Sequence, residues 1–217
     1  NNYYKFKPEK GAMTGHNGII FRKLIHLSIG LAIWMLSYIV ERHVLLIIIL
    51  AGTLFSFLTF NYKRFHLLHK TTDASLGTLF YPVGILTSYL ILYNLPMNYF
   101  HATLMVLSVS DTLANFAGRI QKGNIWIRTF HDRKSIFGIT VYVLSAALIF
   151  YLFLPGSLSL NIVYILFGLL WAVILETASL RGSDNFSIPA GLALFFLLTH
   201  YYEADYLYLS VMLIAFM

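Results

Sequence analysis

The chain of 217 residues contains no cysteine and few charged side chains. The lack of cysteine excludes disulfides and any thiolate metal site. Charged residues make up 11% of the chain, against about 25% in a typical soluble domain. Hydrophobic residues make up 59%. The composition therefore predicts an integral membrane protein without a separate soluble domain. The net charge of +6 then indicates contact with anionic lipid, and we expect no nucleic-acid partner.

Apolar runs of the length that crosses a bilayer recur along the chain. A spanning helix needs about 20 residues, with a range of about 17–25. The candidate segments are about 24–41, 43–60, 76–94, 99–118, 136–154, 160–179, 187–202 and 205–217. The last segment is short, so the sequence predicts an all-α bundle of seven or eight transmembrane helices. We assign residues 1–23 to a cytoplasmic N-terminal segment and residues 24–217 to one membrane domain.

Lysine and arginine are distributed unevenly between the connections of this predicted bundle. All of them except Arg42 fall on the same side as the N-terminus. Because basic residues are retained on the cytoplasmic side, this pattern predicts a cytoplasmic N-terminus. The first 20 residues lack the apolar core and small-residue cleavage site of a signal peptide. We therefore expect the first helix to be an uncleaved anchor, and the protein to lie in the inner cell membrane as a multi-pass protein.

Polar side chains from five segments gather at the predicted cytoplasmic surface. Asp111 is the sharpest signal, since an ionised acid inside an apolar run costs at least about 2.5–3.5 kcal/mol. Asn115 and Gly118 lie on its helical face. The complete set of candidates is Arg22, Lys23, His26, Asp73, Asp111, Gly118, Arg119, Arg133, Lys134, Ser135, Gly138, Glu176, Asp184 and Asn185.

Several of these residues also have a purely structural interpretation. The cations of the first helix are typical of a cytoplasmic helix end, and His26 can bond a neighbouring helix. Asp73 can cap the third helix, Asp184 before Ile188–Pro189 is typical of a turn, and Asp111 can form an internal salt bridge. The convergence of acids that hold Mg²⁺ with bases that hold phosphate favours nucleotide chemistry at a membrane surface.

The order of the motifs resembles the CTP-dependent lipid kinases of membranes. These include phytol kinase, the catalytic part of dolichol kinase and CTP-dependent diacylglycerol kinase, with CDP-diacylglycerol synthase as a more distant relative. The matching motifs are RKLIH from Arg22, SLGTLFYP from Ser75, SDTLANFAGR from Ser110, KSIFG from Lys134, and Glu176 followed by Asp184-Asn185 and Pro189. The resemblance extends from about residue 20 to 200. It departs at Ser110, often glycine in the family, and after Ser135, where a common glutamate is missing.

The resemblance implies transfer of the γ-phosphoryl group of CTP, with Mg²⁺, to the hydroxyl of a membrane lipid alcohol. Phytol, a polyprenol or dolichol, and diacylglycerol are the candidate acceptors. Asp111 is assigned to Mg²⁺, with Glu176 or Asp184 as a second carboxylate. His26 or Asp73 is assigned as the base for the hydroxyl proton. The residues assigned to nucleotide or phosphate are Arg22, Lys23, Gly118, Arg119, Arg133, Lys134, Ser135, Gly138 and Asn185.

Two other functions remain open at this point, as does a homodimer. A cytidylyltransferase would use the same CTP and Mg²⁺, but a lipid phosphate would attack the α-phosphorus and release pyrophosphate. The chain is short for such an enzyme. A small transporter would need polar groups through to the far side of the membrane, whereas here they collect at one face.

Overall fold

The computed structural model describes residues 16–60, 77–120, 126–128, 133–154, 156, 162–179 and 182–201. Within these residues the fold is helical, as predicted. The helices are α1 (His16–Leu36), α2 (Arg42–Phe60), α3 (Gly77–Ile91), α4 (Met97–Met105), α5 (Asp111–Ile120), α6 (Ile136–Phe153), α7 (Ile162–Ala178) and α8 (Asp184–Tyr201), with a π-helical segment (Val106–Ser110) between α4 and α5.

The basic connection before α6 contains a short element that the helical prediction did not include. The antiparallel strands β1 (Trp126–Arg128) and β2 (Arg133–Ser135) pair there, with Ile127 opposite Lys134. Strand pairing determines where the backbone of Lys134 lies relative to the start of α6.

The helices follow the first seven predicted spans, with α4, the π segment and α5 forming one continuous run. Two helices, α2 and α6, are long and apolar enough to cross a membrane, while α3 and α7 are apolar but shorter. The eighth predicted span and Asp73 lie outside the described residues.

Two predicted boundaries differ from the structure. The first helix begins at His16, so Arg22 and Lys23 lie within α1 and not before it. The interpretation of Asp184 as a turn residue is wrong, because Asp184 is the first residue of α8. The turn lies just before it, where Gly182 adopts a φ of 81°, a conformation that favours glycine.

The helical run from α4 to α5 forms the centre of the bundle. Nearly every residue from Tyr99 to Thr112 is buried, on all faces of the helix. The π segment in its middle contacts α1, α6 and α8. A helical run that is buried on all sides belongs to the core of a bundle, and π turns occur often at functional sites.

Two glycines allow the surrounding helices to approach closely. A Cβ atom added at Gly30 of α1 would lie 2.0 Å from Ser108 Oγ in the π segment. A Cβ atom at Gly84 of α3 would lie 2.3 Å from the carbonyl oxygen of Asn185 in α8. Larger side chains at these positions would separate the helices, so glycine sets both distances.

The helices alternate in direction between two ends of the bundle. At one end, Arg42 donates hydrogen bonds to the carbonyl oxygens of Tyr93 (2.8 Å) and Leu95 (3.0 Å). At the other end, Asn185 Nδ2 donates to the carbonyl oxygen of Gly77 at 2.8 Å. This second end carries the first residues of α1, α3, α6 and α8 and the last residues of α5 and α7. We call it the basic end, because the lysines and arginines among the candidate residues lie there. The candidate residues of the described chain lie here.

Candidate active site

Three carboxylates meet at the basic end of the bundle. Asp111 begins α5, Glu176 lies in the last turn of α7, and Asp184 begins α8. One oxygen from each lies within 4.8 Å of the others. Asp111 and Glu176 are buried, while Asp184 is partly exposed. Because like charges at this distance repel, nearby cations stabilise the ionised form of the cluster, and carboxylate oxygens are the ligands that Mg²⁺ prefers.

Two lysines neutralise part of this charge. Lys23 of α1 forms a buried ion pair with Asp111. Lys134 of β2 forms an ion pair with Glu176 Oε1 and also donates to the backbone carbonyl oxygen of Glu176 at 2.6 Å. When all three acids are ionised, the two lysines leave a surplus of negative charge in a largely buried space, and a divalent cation suits that surplus.

Unsatisfied acceptors accompany the cluster. Among the described residues, Glu176 Oε2, Asn185 Oδ1 and Ser110 Oγ are buried without a hydrogen-bond partner. Each such group costs about 1–3 kcal/mol. Glu176 belongs to the cluster, and the other two adjoin Asp184 and Asp111 in the chain. These oxygens are the kind of ligand that a cation and its water shell require.

The structure pairs Lys23 with a carboxylate, although the sequence interpretation assigned it to phosphate. Asp111 was assigned to Mg²⁺, with an internal salt bridge as the alternative, and the salt bridge is present. The two roles are compatible because a carboxylate has two oxygens and about four lone-pair sites. Lys23 therefore orients Asp111 and balances its charge.

Two arginines of this end are electrostatically coupled. Arg22 precedes Lys23 in α1, and Arg119 lies in the last turn of α5, where its Nε donates to Asn115 Oδ1 at 2.8 Å. Burial, and then the positive charge of Arg22, lower the pKa of Arg119. Guanidinium geometry matches phosphate, so these two side chains are candidates for contact with an anion.

The glycine and serine positions assigned to nucleotide have a packing role. A Cβ atom at Gly138 would lie 2.9 Å from the carbonyl oxygen of Ala114 and 3.4 Å from Gly118 Cα. Ser135 Oγ caps α6 by accepting a hydrogen bond from the backbone N–H of Gly138 at 3.5 Å. These residues hold α5 against α6 and so place Lys134 beside Glu176. Asn185 likewise uses Nδ2 to hold the start of α3.

His26 lies one turn below Arg22 and is buried. Its ring stacks on Tyr81, with the ring centroids 4.0 Å apart and the planes at 11°. Tyr81 Oη donates to the backbone carbonyl oxygen of His26 and lies 2.8 Å from Ser108 Oγ. Neither ring nitrogen of His26 has a hydrogen-bond partner within the described part of the chain. The bond to a neighbouring helix, the structural alternative for His26, is therefore not observed there.

Arg133, which was assigned to phosphate, lies in β2.

The structure adds candidate site residues that the sequence interpretation left unassigned. Tyr81 and Ser108 support His26, and Tyr142 of α6 is buried within electrostatic range of all three carboxylates. The Tyr142 hydroxyl has no hydrogen-bond partner among the residues described. Its one signal in the sequence is its position one helical turn after Gly138.

Comparison with known proteins adds no assignment to this geometry. No protein-family model, curated protein or solved structure matches the chain.

Proposed function

We propose that the chain is a CTP-dependent kinase that phosphorylates a membrane lipid alcohol at the cytoplasmic face. The observation that carries the proposal is the cluster of Asp111, Glu176 and Asp184, two of them paired with buried or half-buried lysines. The choice of CTP as donor comes from the family resemblance. The choice of a lipid acceptor comes from the apolar composition and from the two apolar helices, α2 and α6.

The proposal includes a multi-pass arrangement in the inner membrane, with the N-terminus and the basic end at the cytoplasm. The alternating helix directions support it, because they bring the charged residues of distant segments to one end. The helices α3 and α7 are shorter, and local thinning of the membrane accommodates short apolar helices.

Each group of residues has a part in phosphoryl transfer. Asp111, Glu176 and Asp184 would hold Mg²⁺, which neutralises the charge of the nucleotide phosphates. Lys23 and Lys134 orient the carboxylates. Arg22 and Arg119, the coupled arginines, bind phosphate oxygens and stabilise the charge that develops on them during transfer.

The bond changes follow from this assignment. The alcohol oxygen attacks the γ-phosphorus, and the bond from that phosphorus to the oxygen of the β-phosphate breaks. CDP leaves with the bonding electron pair. The hydroxyl proton passes to a ring nitrogen of His26, which has no partner in the described residues and so can accept it.

The test is transfer of label from γ-labelled CTP with Mg²⁺. Purified protein is incubated with phytol, farnesol, a long polyprenol and diacylglycerol, and label is followed into the lipid phase. We expect one labelled lipid phosphate and equimolar CDP. Labelled pyrophosphate after addition of phosphatidic acid would instead identify a cytidylyltransferase. No label from CTP or ATP in either product would overturn nucleotide chemistry and favour transport.

A further inference from the structure

A groove runs along the bundle between α1, α2 and α3. It has a volume of about 360 Å³, and most of its accessible surface is apolar, although the hydroxyl-bearing residues Thr53, Ser56, Thr59 and Thr78 also line it. The first helix connects the groove with the carboxylate cluster. Arg22 and His26 line the groove, while Lys23, which follows Arg22, pairs with Asp111. The groove is separate from the carboxylates, none of which lines it.

The two nitrogen-bearing side chains of the groove lie toward its basic end. Arg22 and His26 are nearer the basic end of α1 than Ile33 is, and Thr59 is nearer the basic end of α2 than Ile49 is. The distance from Arg22 to Ile33 is about 16 Å at the rise of an α-helix. This is about half of the ~30 Å hydrocarbon core of a bilayer. The groove therefore has the polarity and the length of one membrane leaflet.

The volume of the groove limits its occupant. A cavity of about 150 Å³ accommodates one benzene molecule, so this groove accommodates on the order of fifteen carbon atoms. That is one long hydrocarbon chain and not two. Among its lining residues, His26 offers an imidazole with both nitrogens unpartnered in the described part of the chain. A small head group such as a hydroxyl matches this end.

We propose that this groove binds the hydrocarbon tail of a single-chain alcohol from the cytoplasmic leaflet, with the hydroxyl at His26. This inference rests on the proposed kinase function for the role of the bound alcohol, but not for the binding itself. The stack of His26 on Tyr81, and the contact of Tyr81 with Ser108, orient the imidazole at the polar end. A two-chain lipid would leave its second chain outside the groove.

A larger side chain at Gly52 of α2 is a way to fill part of the groove. Gly52 lines the groove, and a Cβ atom added there would meet no atom within 4 Å. Leucine at this lining position meets no atom near its Cβ that would displace the backbone, and its side chain is expected to narrow the groove. Gly156 has equally open space around its Cβ position but lies outside the groove, so Gly156→Leu is the matched control.

The experiment uses hexadecanol with a photoreactive diazirine at the end of its chain. The full-length protein in nanodiscs, without nucleotide or Mg²⁺, is irradiated and the labelled residues are mapped. We expect label on Ile33, Ile49 and Ile85, which line the groove. Gly52→Leu is expected to reduce this label at least about tenfold, which corresponds to 1.4 kcal/mol of binding free energy, and Gly156→Leu is expected to leave it unchanged.

Two labelling results would overturn the proposal. One is label confined to Leu54 and Leu58, which are exposed on α2 outside the groove. The other is equal labelling of the groove by a diacylglycerol with the same diazirine in one chain. Labelling can be read without any catalysis. Groove labelling without kinase activity would therefore refute only the kinase, and kinase activity unchanged in Gly52→Leu would refute only the groove.

Discussion

The buried ion pair between Lys23 and Asp111 is expensive for the protein to maintain. Each ion loses hydration at a cost of several kcal/mol, and an apolar pair of similar volume often stabilises a fold as well or better. The pair is 88 residues apart in the chain and nearly inaccessible to solvent. Its physical cost is understandable if Asp111 must stay ionised at a defined place, as a Mg²⁺ ligand does.

Asp111→Asn separates the structural role of this residue from its catalytic role. The substitution leaves the Lys23 ammonium buried without its counter-ion, so we expect a loss of about 3–5 kcal/mol in the free energy of unfolding. Adding Lys23→Met should recover most of this loss in thermal unfolding in detergent. Label transfer should stay at least about 10²-fold below wild type in both variants. Recovery of activity in the double variant would show that Asp111 only balances charge.

Glu176→Gln tests the metal site more gently. The amide oxygen can still accept a hydrogen bond from Lys134, while the side chain loses the charge that a cation needs. We expect the Mg²⁺ concentration for half-maximal label transfer to rise at least about tenfold.

The matched control for that variant is Glu41→Gln at the opposite end of the bundle. Glu41 is exposed and lies 3.4 Å from His43 Nδ1. Its replacement should leave the Mg²⁺ dependence unchanged. An unchanged Mg²⁺ dependence in Glu176→Gln itself would remove Glu176 from the metal site.

The contact between α3 and α8 shows how elements position the site. Gly84 allows the two helices to approach, and Asn185 of α8 bonds the first residue of α3 at the basic end. Asp184, a member of the carboxylate cluster, precedes Asn185 directly. The position of that carboxylate thus depends on a glycine about two turns into another helix.

Gly84→Ala is therefore expected to lower the free energy of unfolding by about 1–3 kcal/mol through overpacking. The control is Gly52→Ala, also a glycine within a helix, where the added methyl group meets nothing. That change should stabilise the protein by about 0.4–1 kcal/mol, because alanine restricts the unfolded chain. Thermal unfolding in detergent measures both. Equal effects of the two substitutions would contradict the close α3–α8 contact.

The π segment also acts at the scale of an element. It ends directly before Asp111 and is surrounded by α1, α6 and α8. Gly30 allows α1 to lie against Ser108 in this segment. The π turn therefore influences the direction of the backbone at Asp111, where the helical run continues as α5.

At the scale of the whole molecule, the absence of cysteine makes the proposed topology directly measurable. Ile120 at the basic end and Ile39 at the opposite end are both highly exposed, at 79% and 78%. We expect Ile39→Cys to react with a membrane-impermeant maleimide in intact cells. Ile120→Cys should react only after the membrane is permeabilised. The unmodified protein has no thiol, so it provides the blank.

Labelling of both positions in intact cells, or of neither after permeabilisation, would contradict a membrane-crossing bundle. Labelling in the reverse order would retain the bundle but place the carboxylate cluster outside the cell. That outcome would also separate the cluster from cytoplasmic CTP.

The positions of the helices and the end at which the charges gather were determined by the sequence alone. The segment predicted as helical at 43–60 is observed as the helix Arg42–Phe60, and that at 136–154 as the helix Ile136–Phe153. The reason is local, since the length of an apolar run and the polar residues at its ends depend on neighbours in the chain.

Only the tertiary structure decided which charges meet. It paired Lys23 with Asp111 and Lys134 with Glu176, and it gave Gly138 a packing role. It also produced the groove beside His26, which no motif indicates. These features depend on how closely helices distant in sequence approach one another. That distance is set by shape and volume at the contacts between helices, and hydrophobic periodicity along one chain does not contain it.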